Sequence, residues 1–427
     1  TTTISNCLFV PATLTVSTTD DTYTKTITRD ADATITNCYY TQVLGAAQGT
    51  VAIPAATIPA NLGSPTAEYG MVTAYPTGLL FNGTFYGGFT TFSLTDTGDN
   101  TATITGNDRY LANVTLQGRT LYRDGAWNTL CLPFNVSLSG IPLDGAIARP
   151  LTSASISGST LNLTFGDAVD ELKAGTPYII KWASSSISGV TAISSNSSYA
   201  NGNVLVDGNF NTVVSLVGEF PFEYVFKTVT VVNLNGYTLY PYKANEHPNC
   251  RPCQWTLEAK ANESDAWTVI DSRDATANSG DALPTSDVES QLYEIAAGKK
   301  GPYQYFRFTV IKTHGATALL HLRDLKLYAD IVSPMFDGVT IDATDRSYDN
   351  EASGDQRVRF IGTYKSTSFD AEDKSILFMG DGNKLYYPEN GASIGAQRAY
   401  FKIGDGAALA RQLTAFRINF GEDEATG

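Results

Sequence analysis

Basic residues are scarce in this chain. Lys and Arg number 29 against 43 Asp and Glu, a formal net charge of −14. Nucleic acid and anionic membrane surfaces both require a basic face, so neither is expected as a partner. Charge of either sign is thin, at 17% of residues against roughly 25% in ordinary soluble domains. Histidine is nearly missing, with only His247, His314 and His321. None sits in a His-Glu-x-x-His pattern, and no Gly-x-Ser-x-Gly elbow or phosphate loop occurs, so the chain is not expected to be an enzyme. Carboxylate pairs for glycoside hydrolysis are set by the fold, and no local context favours one. No apolar run approaches the roughly 18 residues of a membrane-spanning helix. Blocks of Glu, Lys, Leu and Ala at helical period do not extend beyond about three turns. The cysteines are five, Cys7, Cys38, Cys131, Cys250 and Cys253, an odd count that is no disulfide framework. Cys250-Arg-Pro-Cys253 has redox-motif spacing, but it follows His-Pro-Asn and leads into a strand instead of opening a helix. A local disulfide or two plain loop thiols are the alternatives, and no second Cys/His pair lies nearby to hold zinc.

What fills the composition instead is Thr, Ser, Asn, Gly and Tyr. Thr and Tyr favour strands, and Gly and Asn favour tight turns. An all-β, multi-domain chain follows, with two to four domains expected for 427 residues. The start at Thr-Thr-Thr-Ile-Ser and the end at Gly-Glu-Asp-Glu-Ala-Thr-Gly are expected to be cuts through a longer protein, with 422–427 a linker to a C-terminal region.

Residues 1–60 hold an internal repeat. Ile4-Ser5-Asn6-Cys7-Leu8-Phe9 recurs as Ile35-Thr36-Asn37-Cys38-Tyr39-Tyr40, 31 residues later. Fixed-period alternation suggests stacked rungs of a β-solenoid, with Cys7 and Cys38 close together on the inner face. The segment resembles the last rungs of GLUG-type adhesin repeats over about 45 residues. Residues 61–90, rich in Gly, Pro and aromatics, are expected to be a transition segment.

From about residue 91 a second pattern begins. Gly118-Arg-Thr-Leu121, Asp124-Gly-Ala-Trp-Asn-Thr-Leu-Cys-Leu-Pro-Phe134 and Gly175-Thr-Pro-Tyr-Ile-Ile-Lys-Trp182 are followed much later by Phe336-Asp-Gly-Val339, Phe360-Ile-Gly-Thr-Tyr364, Leu385-Tyr-Tyr-Pro388 and Arg398-Ala-Tyr-Phe401. This order resembles a β-rich module of Bacteroidetes surface proteins. Here it is interrupted by about 150 residues after Trp182, enough for a whole domain. The expected organisation is a split module, 91–185 with 331–421, carrying an inserted domain at 186–330.

Inside the insert, Phe222, Tyr224 and Phe226 alternate with polar neighbours, as do Trp255, Leu257 and Ala259, and Phe306, Phe308 and Val310. Leu234-Asn-Gly236 and Ala261-Asn-Glu-Ser-Asp265 read as turns, giving an antiparallel β-sandwich. Six motifs in order resemble discoidin-like domains, the coagulation-factor type C class: Val204-Leu-Val-Asp-Gly-Asn-Phe-Asn-Thr212, Gly236-Tyr-Thr-Leu239, Trp255-Thr-Leu-Glu258, Trp267-Thr-Val-Ile-Asp-Ser-Arg273, Tyr305-Phe-Arg-Phe308 and Leu322-Arg-Asp-Leu-Lys-Leu-Tyr328. The resemblance implies an eight-stranded jelly roll with a ligand site on the loops at one end, most often for glycans.

Two candidate sites follow. Asp207, Thr212 and Asp324 are the candidate metal ligands, since calcium takes six to eight oxygens from carboxylates, hydroxyls and carbonyls. In related glycan-binding modules a structural calcium joins this loop to the closing acid. That acid is usually Glu, and Asp324 is one methylene shorter. The Trp that often follows the Thr is replaced by Val213-Val214. The alternative is a loop held by Asp207 accepting backbone N–H bonds. Tyr242, His247, Asn249 and Arg251 are the candidate ligand residues. They lie on a long loop offering an aromatic face and planar polar groups, the means by which sugars are held, though an ordinary solvated connection has the same composition. Trp255 and Trp267 are expected in the core, and His321 on a sheet face. A secreted or surface-displayed, non-catalytic protein is expected, its insert binding a glycan or glycoprotein for adhesion or nutrient capture. A purely structural or protein-adhesive segment, or an accessory part of a glycan-degrading enzyme, are the alternatives.

Overall fold

The computed structural model of the chain describes residues 2–5, 7–9, 25–36, 38–40, 43–44, 48–49, 56–57, 69–71, 73–75, 78–81, 84–87, 90–140, 142–196, 204–209, 211–212, 214–344, 358–371, 373–404 and 412–421. The expected linker at 422–427, residues 61–68 of the expected transition segment, and Val213 lie outside them. The chain is all-β. Its only α-helix among the described residues is the six-residue Thr101–Gly106. No helix among them is long and apolar enough to cross a membrane. Two compact units form: Thr1–Phe92 with Ile104–Val114 and Asp337–Ala343, and Ser93–Thr103 with Thr115–Phe336 and Thr344–Gly427.

In the first unit the sequence repeat becomes a parallel ladder. Thr3 pairs Thr34, Ile4 pairs Ile35 and Ser5 pairs Thr36, so the 31-residue spacing is one turn of a stack. Leu8 and Phe9 pair Tyr39 and Tyr40 at the same spacing, and Cys38, Tyr39 and Tyr40 pair in turn with Tyr69, Gly70 and Met71. Parallel, evenly spaced pairing of equivalent positions is what a repeat must do to bury its apolar face. One expectation is corrected: Cys38 is buried, but Cys7 is exposed. Burial pushes the Cys38 thiol up, and Cys7 is its electrostatic neighbour.

In the second unit, two cores form. The first belongs to the insert. A nine-stranded sheet contains eight strands between Val190 and Val332 and one short strand, Thr120–Leu121, from before the insert. The strand Phe222–Pro241 pairs with Pro302–Thr313 along its first half and with Leu319–Val332 along its second. A register shift between Lys227 and Val232 separates the two halves of the strand. The expected turn at Asn235-Gly236 is therefore a strand interior, with a register shift between Leu234 and Gly236. Glycine stands there for close approach. A Cβ would lie 2.9 Å from both the Leu292 side chain and the Tyr293 carbonyl oxygen.

Alternation fills the insert core with Phe222, Tyr224, Phe226, Trp255, Leu257, Phe306 and Phe308. Phe226 stacks on Phe306 at 5.7 Å. Fully buried Trp255 donates its Nε1–H to the Tyr237 hydroxyl at 2.8 Å, and that hydroxyl donates to Asp271 at 2.6 Å. Arg273 donates to Asp271 at 2.7 Å and Asp281 at 3.2 Å. Asp271 and Arg273 of the Trp-x-x-Ile-Asp-x-Arg stretch thus complete a partly buried network around Trp255. Trp267 departs from expectation. It is half-buried on the outer face, with Lys260 and Arg307 4.7 and 5.1 Å from its ring.

The second core joins chain on both sides of the insert, packing Trp127, Leu161, Phe165 and Ile179 with Phe360, Leu377 and Phe401. Strand Thr160–Phe165 lies parallel to Ala415–Asn419, and the Trp127 N–H reaches Asn383 Oδ1 at 2.8 Å. The ends of the insert leave side by side: Ile187 N–H donates to Leu327 O, and Ala329 N–H to Ser185 O, both at 2.9 Å. Buried Arg123 closes the seam. Its backbone N–H meets Asp330 at 2.8 Å, and its guanidinium meets the Ser186 carbonyl at 2.7 Å.

Candidate functional site

The ligand loop begins where strand Phe222–Pro241 ends. The chain turns through 242–247 into the short 3₁₀ turn Pro248–Cys250, then enters strand Pro252–Lys260. Its own hydrogen bonds fix it: His247 N–H donates to Lys243 O at 2.7 Å and Cys250 N–H to His247 O at 3.0 Å. Lys243 holds φ +47°, a conformation side chains rarely adopt and one that clusters at functional loops. Asp287 anchors the loop from across the gap. It accepts the Ala244 N–H at 2.9 Å and pairs with Arg323 at 2.9 Å. Burial alone would raise the Asp287 carboxyl, but these donors outweigh it and hold it below the usual range.

Opposite the loop, strand Leu319–Val332 carries a bulge. Tyr240 pairs Asp324 and Pro241 pairs Leu322, so Arg323 has no place in the ladder. His321, 6% exposed, sits beneath the loop. The Tyr242 ring lies 5.4 Å from it, and the His247 ring stands perpendicular at 5.3 Å. Burial pushes the His321 pKa down, and the charges of His247 and Lys243 add to that. Arg323 lies 5.0 Å from the Tyr242 ring. The result is a shallow face. Half-buried Tyr242 and exposed His247 are propped on His321, with Arg323 at one side and exposed Asn249 at the other end of the loop.

Three of the four expected ligand residues therefore lie outward on one loop, and the structure brings Tyr242 and His247 together. Arg251 is a correction. It is 7% exposed and turned inward, donating from Nη1 to the Leu283 and Pro284 carbonyls at 2.7 and 3.1 Å. Buried carbonyls need donors, and this guanidinium supplies them. Cys250 and Cys253 are both buried thiols with no disulfide between them. Sequence reasoning missed His321, Arg323 and Asp287. The alternation Leu320-His321-Leu322-Arg323 marks two outward polar groups, but nothing in it says which loop covers them.

The second candidate site is the loop after the 3₁₀ turn Val204–Val206. Gly208, at φ +70°, turns the chain back. Asp207 accepts the Asn209 N–H at 2.8 Å. The Thr212 hydroxyl lies 2.9 Å from Asp207 Oδ2 and 2.7 Å from the Asn209 carbonyl oxygen, one hydrogen serving two acceptors. Asp324 is 1% exposed. Its Oδ1 accepts the Leu325 N–H at 3.0 Å and the Gly208 N–H also faces the carboxylate, while its buried Oδ2 makes no well-formed hydrogen bond among the described residues. Burial, reinforced by the Asp207 charge, pushes the Asp324 carboxyl up to about 6. An orphaned buried carboxylate oxygen, a second carboxylate, a hydroxyl and a carbonyl suit a hard cation. Among the described residues no three His, Cys, Asp or Glu side chains cluster, so such an ion would draw most of its oxygens from the backbone.

Fold and sites together define an all-β chain with an eight-stranded sandwich bearing a loop-end face and a carboxylate-lined loop. No family model and no curated protein matches the chain. Among solved structures, it is similar to the CBM32-3 module of a family 31 glycoside hydrolase from Clostridium perfringens. That match has 19% identity and a TM-score of 0.29, over 34% of this chain and 94% of that one. It is also similar to the family 32 carbohydrate-binding module of C. perfringens NanJ in complex with galactose, with 13% identity and a TM-score of 0.26, over 32% and 92% of the two chains. The C-terminal domain of a chitobiase from Bacteroides fragilis is a third, with 15% identity and a TM-score of 0.28, over 34% and 99%.

Proposed function

We propose that the insert is a non-catalytic glycan-binding module of a secreted or surface-displayed protein, serving adhesion or nutrient capture. The observation that carries this reading is the convergence of Tyr242 and His247 on His321, with Arg323 alongside. An aromatic face packs against sugar C–H groups, and the imidazole and guanidinium donors take hydroxyls. A shallow site of this kind gives about 4–5 kcal/mol, a dissociation constant of roughly 0.1–1 mM. Such affinity becomes useful when many copies act together.

Calcium belongs to the same proposal. Asp207, Thr212 and Asp324 would hold it, and its role would be to fix the loop against the closing strand. The split organisation, 91–185 with 331–421 around 186–330, is the accompanying proposal for domain structure. The test is a broad glycan array followed by calorimetry, with galactose as the first defined probe because it is the sugar in the NanJ complex. Binding that Tyr242→Ala and His247→Ala both weaken supports the reading. An intact chain that binds nothing on the array overturns it.

A further inference from the structure

Away from the insert, a cleft of about 710 Å³ opens among the stretches that precede and follow it. Arg119 lies in its wall, 2% exposed. Its Nη1 donates to the Thr120 carbonyl at 2.7 Å and its Nη2 to the Thr129 carbonyl at 2.9 Å. Arg398, from the start of strand Arg398–Ile403, lies in the same wall and grips both oxygens of Asp96, at 2.9 and 2.8 Å. The Nε–H groups of both arginines are buried without a hydrogen-bond partner among the described residues. Burial, with the Arg398 charge adding to it and the Asp96 charge opposing it, pushes the Arg119 pKa down to about 9. Half-buried Asp96 pairs with Arg398, which leaves buried Arg119 without a carboxylate in hydrogen-bond contact among the described residues. A desolvated cation without its own counter-charge is costly, and an incoming anion relieves that cost.

The rest of the cleft has a different chemistry. Tyr122 stands at the rim, 51% exposed. Its backbone is clamped by Asn128, which accepts its N–H at 2.9 Å and donates to its carbonyl at 2.8 Å, so the ring is anchored at the rim without packing into a core. Phe378 and Ile394 add apolar wall, and Ser393 adds a hydroxyl. A flat aromatic surface beside hydroxyls and a buried positive charge fits a ring with C–H faces, hydroxyls and one negative group.

We propose that this cleft is a second binding site, selective for a sugar that carries a carboxylate, with its charge facing Arg119 and Arg398 and its ring against Tyr122. Arg119 and Arg398 are balanced in the lining by Asp96 and the exposed Asp124, so the preference for an anion rests on buried Arg119, whose guanidinium donates to carbonyls and to no carboxylate among the described residues. The site is separate from the face on the insert.

The test titrates the full chain, by calorimetry, with a hexuronate disaccharide, the matching neutral disaccharide and a dipeptide with a free C-terminal carboxylate. The hexuronate should bind, the neutral sugar at least about tenfold more weakly, and the dipeptide more weakly than the hexuronate. Tyr122→Ala should weaken hexuronate binding about fivefold without moving the melting temperature, because only the exposed ring is lost. Arg398→Gln should weaken it further. Tyr242→Ala should leave it unchanged, which separates this site from the insert. No hexuronate binding up to about 10 mM would overturn the proposal. So would equal binding of the neutral sugar, tighter binding of the dipeptide, indifference to Tyr122→Ala, or loss on Tyr242→Ala.

Discussion

The insert and the module around it solve the same packing problem from opposite ends. The insert draws its core from one continuous stretch, Leu205 to Ala329, and its polar motif residues turn inward, where Trp255, Tyr237, Asp271, Arg273 and Asp281 satisfy one another. The surrounding module draws its core from two stretches separated by the insert, and Arg119, Asn128 and Arg398 gather around an open cleft. A polar residue in a recognisable motif is therefore no guide to function until its surroundings are known. Buried and paired, it specifies a fold. In the wall of an open cleft, it lies where a ligand would meet it.

The sharpest way to break this comparison is to remove the insert. Ser186 and Tyr328 are bridged partners, so residues 187–327 can be excised and a two-residue Gly linker placed between them. If the module's core is independent, circular dichroism should keep a β signal and denaturation should stay cooperative. A chain unfolded by both measures removes the split-module proposal. Within the insert, Trp255→Ala should lower stability by about 3–5 kcal/mol in urea denaturation, since it empties a core site and removes the donor to the Tyr237 hydroxyl. Trp267→Ala, on the outer face, should cost less than about 1 kcal/mol. Equal effects would erase the distinction between inner and outer tryptophan.

Calcium sharpens the comparison at the 204–212 loop. Saturation at about 100 times the dissociation constant should add about 2.7 kcal/mol to insert stability, lost on chelation. Asp324→Asn should abolish that response and also stabilise the chelated protein, because burial of the Asp324 carboxylate is then unopposed. Chelation with no shift in melting would leave only the hydrogen-bonded loop.

The smallest expected effect is a pH dependence. Burial lowers the folded-state pKa of both His321 and His314, with His247 and Lys243 adding at the first and Arg251 at the second. The unfolded chain then binds protons more readily, so stability is present above the ordinary histidine value of about 6.5 and declines as pH falls below it. Asp324 has the opposite slope, since its folded pKa is raised. The measurement therefore belongs in Asp324→Asn. His321→Gln in that background should flatten the acid limb seen in urea titrations between about pH 5 and 7. An unchanged limb would mean that His321 is hydrated in solution.

The architecture was legible in the amino-acid order wherever the signal was local. Period-two alternation placed the core strands of the insert, and the 31-residue repeat became a parallel ladder in the same register. Residue type and loop length also marked Tyr242, His247 and the Asp207 turn. Tertiary structure alone decided the rest, because it depends on what lies opposite. Asn235-Gly236 reads as a turn, yet it runs straight because Leu292 and Tyr293 need the space a side chain would take. Arg251 reads as a loop donor, yet it points inward because two buried carbonyls lack donors. His321 reads as an ordinary strand residue, and it becomes the floor of the loop only because Tyr242 and His247 arrive from about 80 residues away. Propensity and alternation act over a few residues, whereas burial, pairing and electrostatic demand are settled by neighbours remote in the chain.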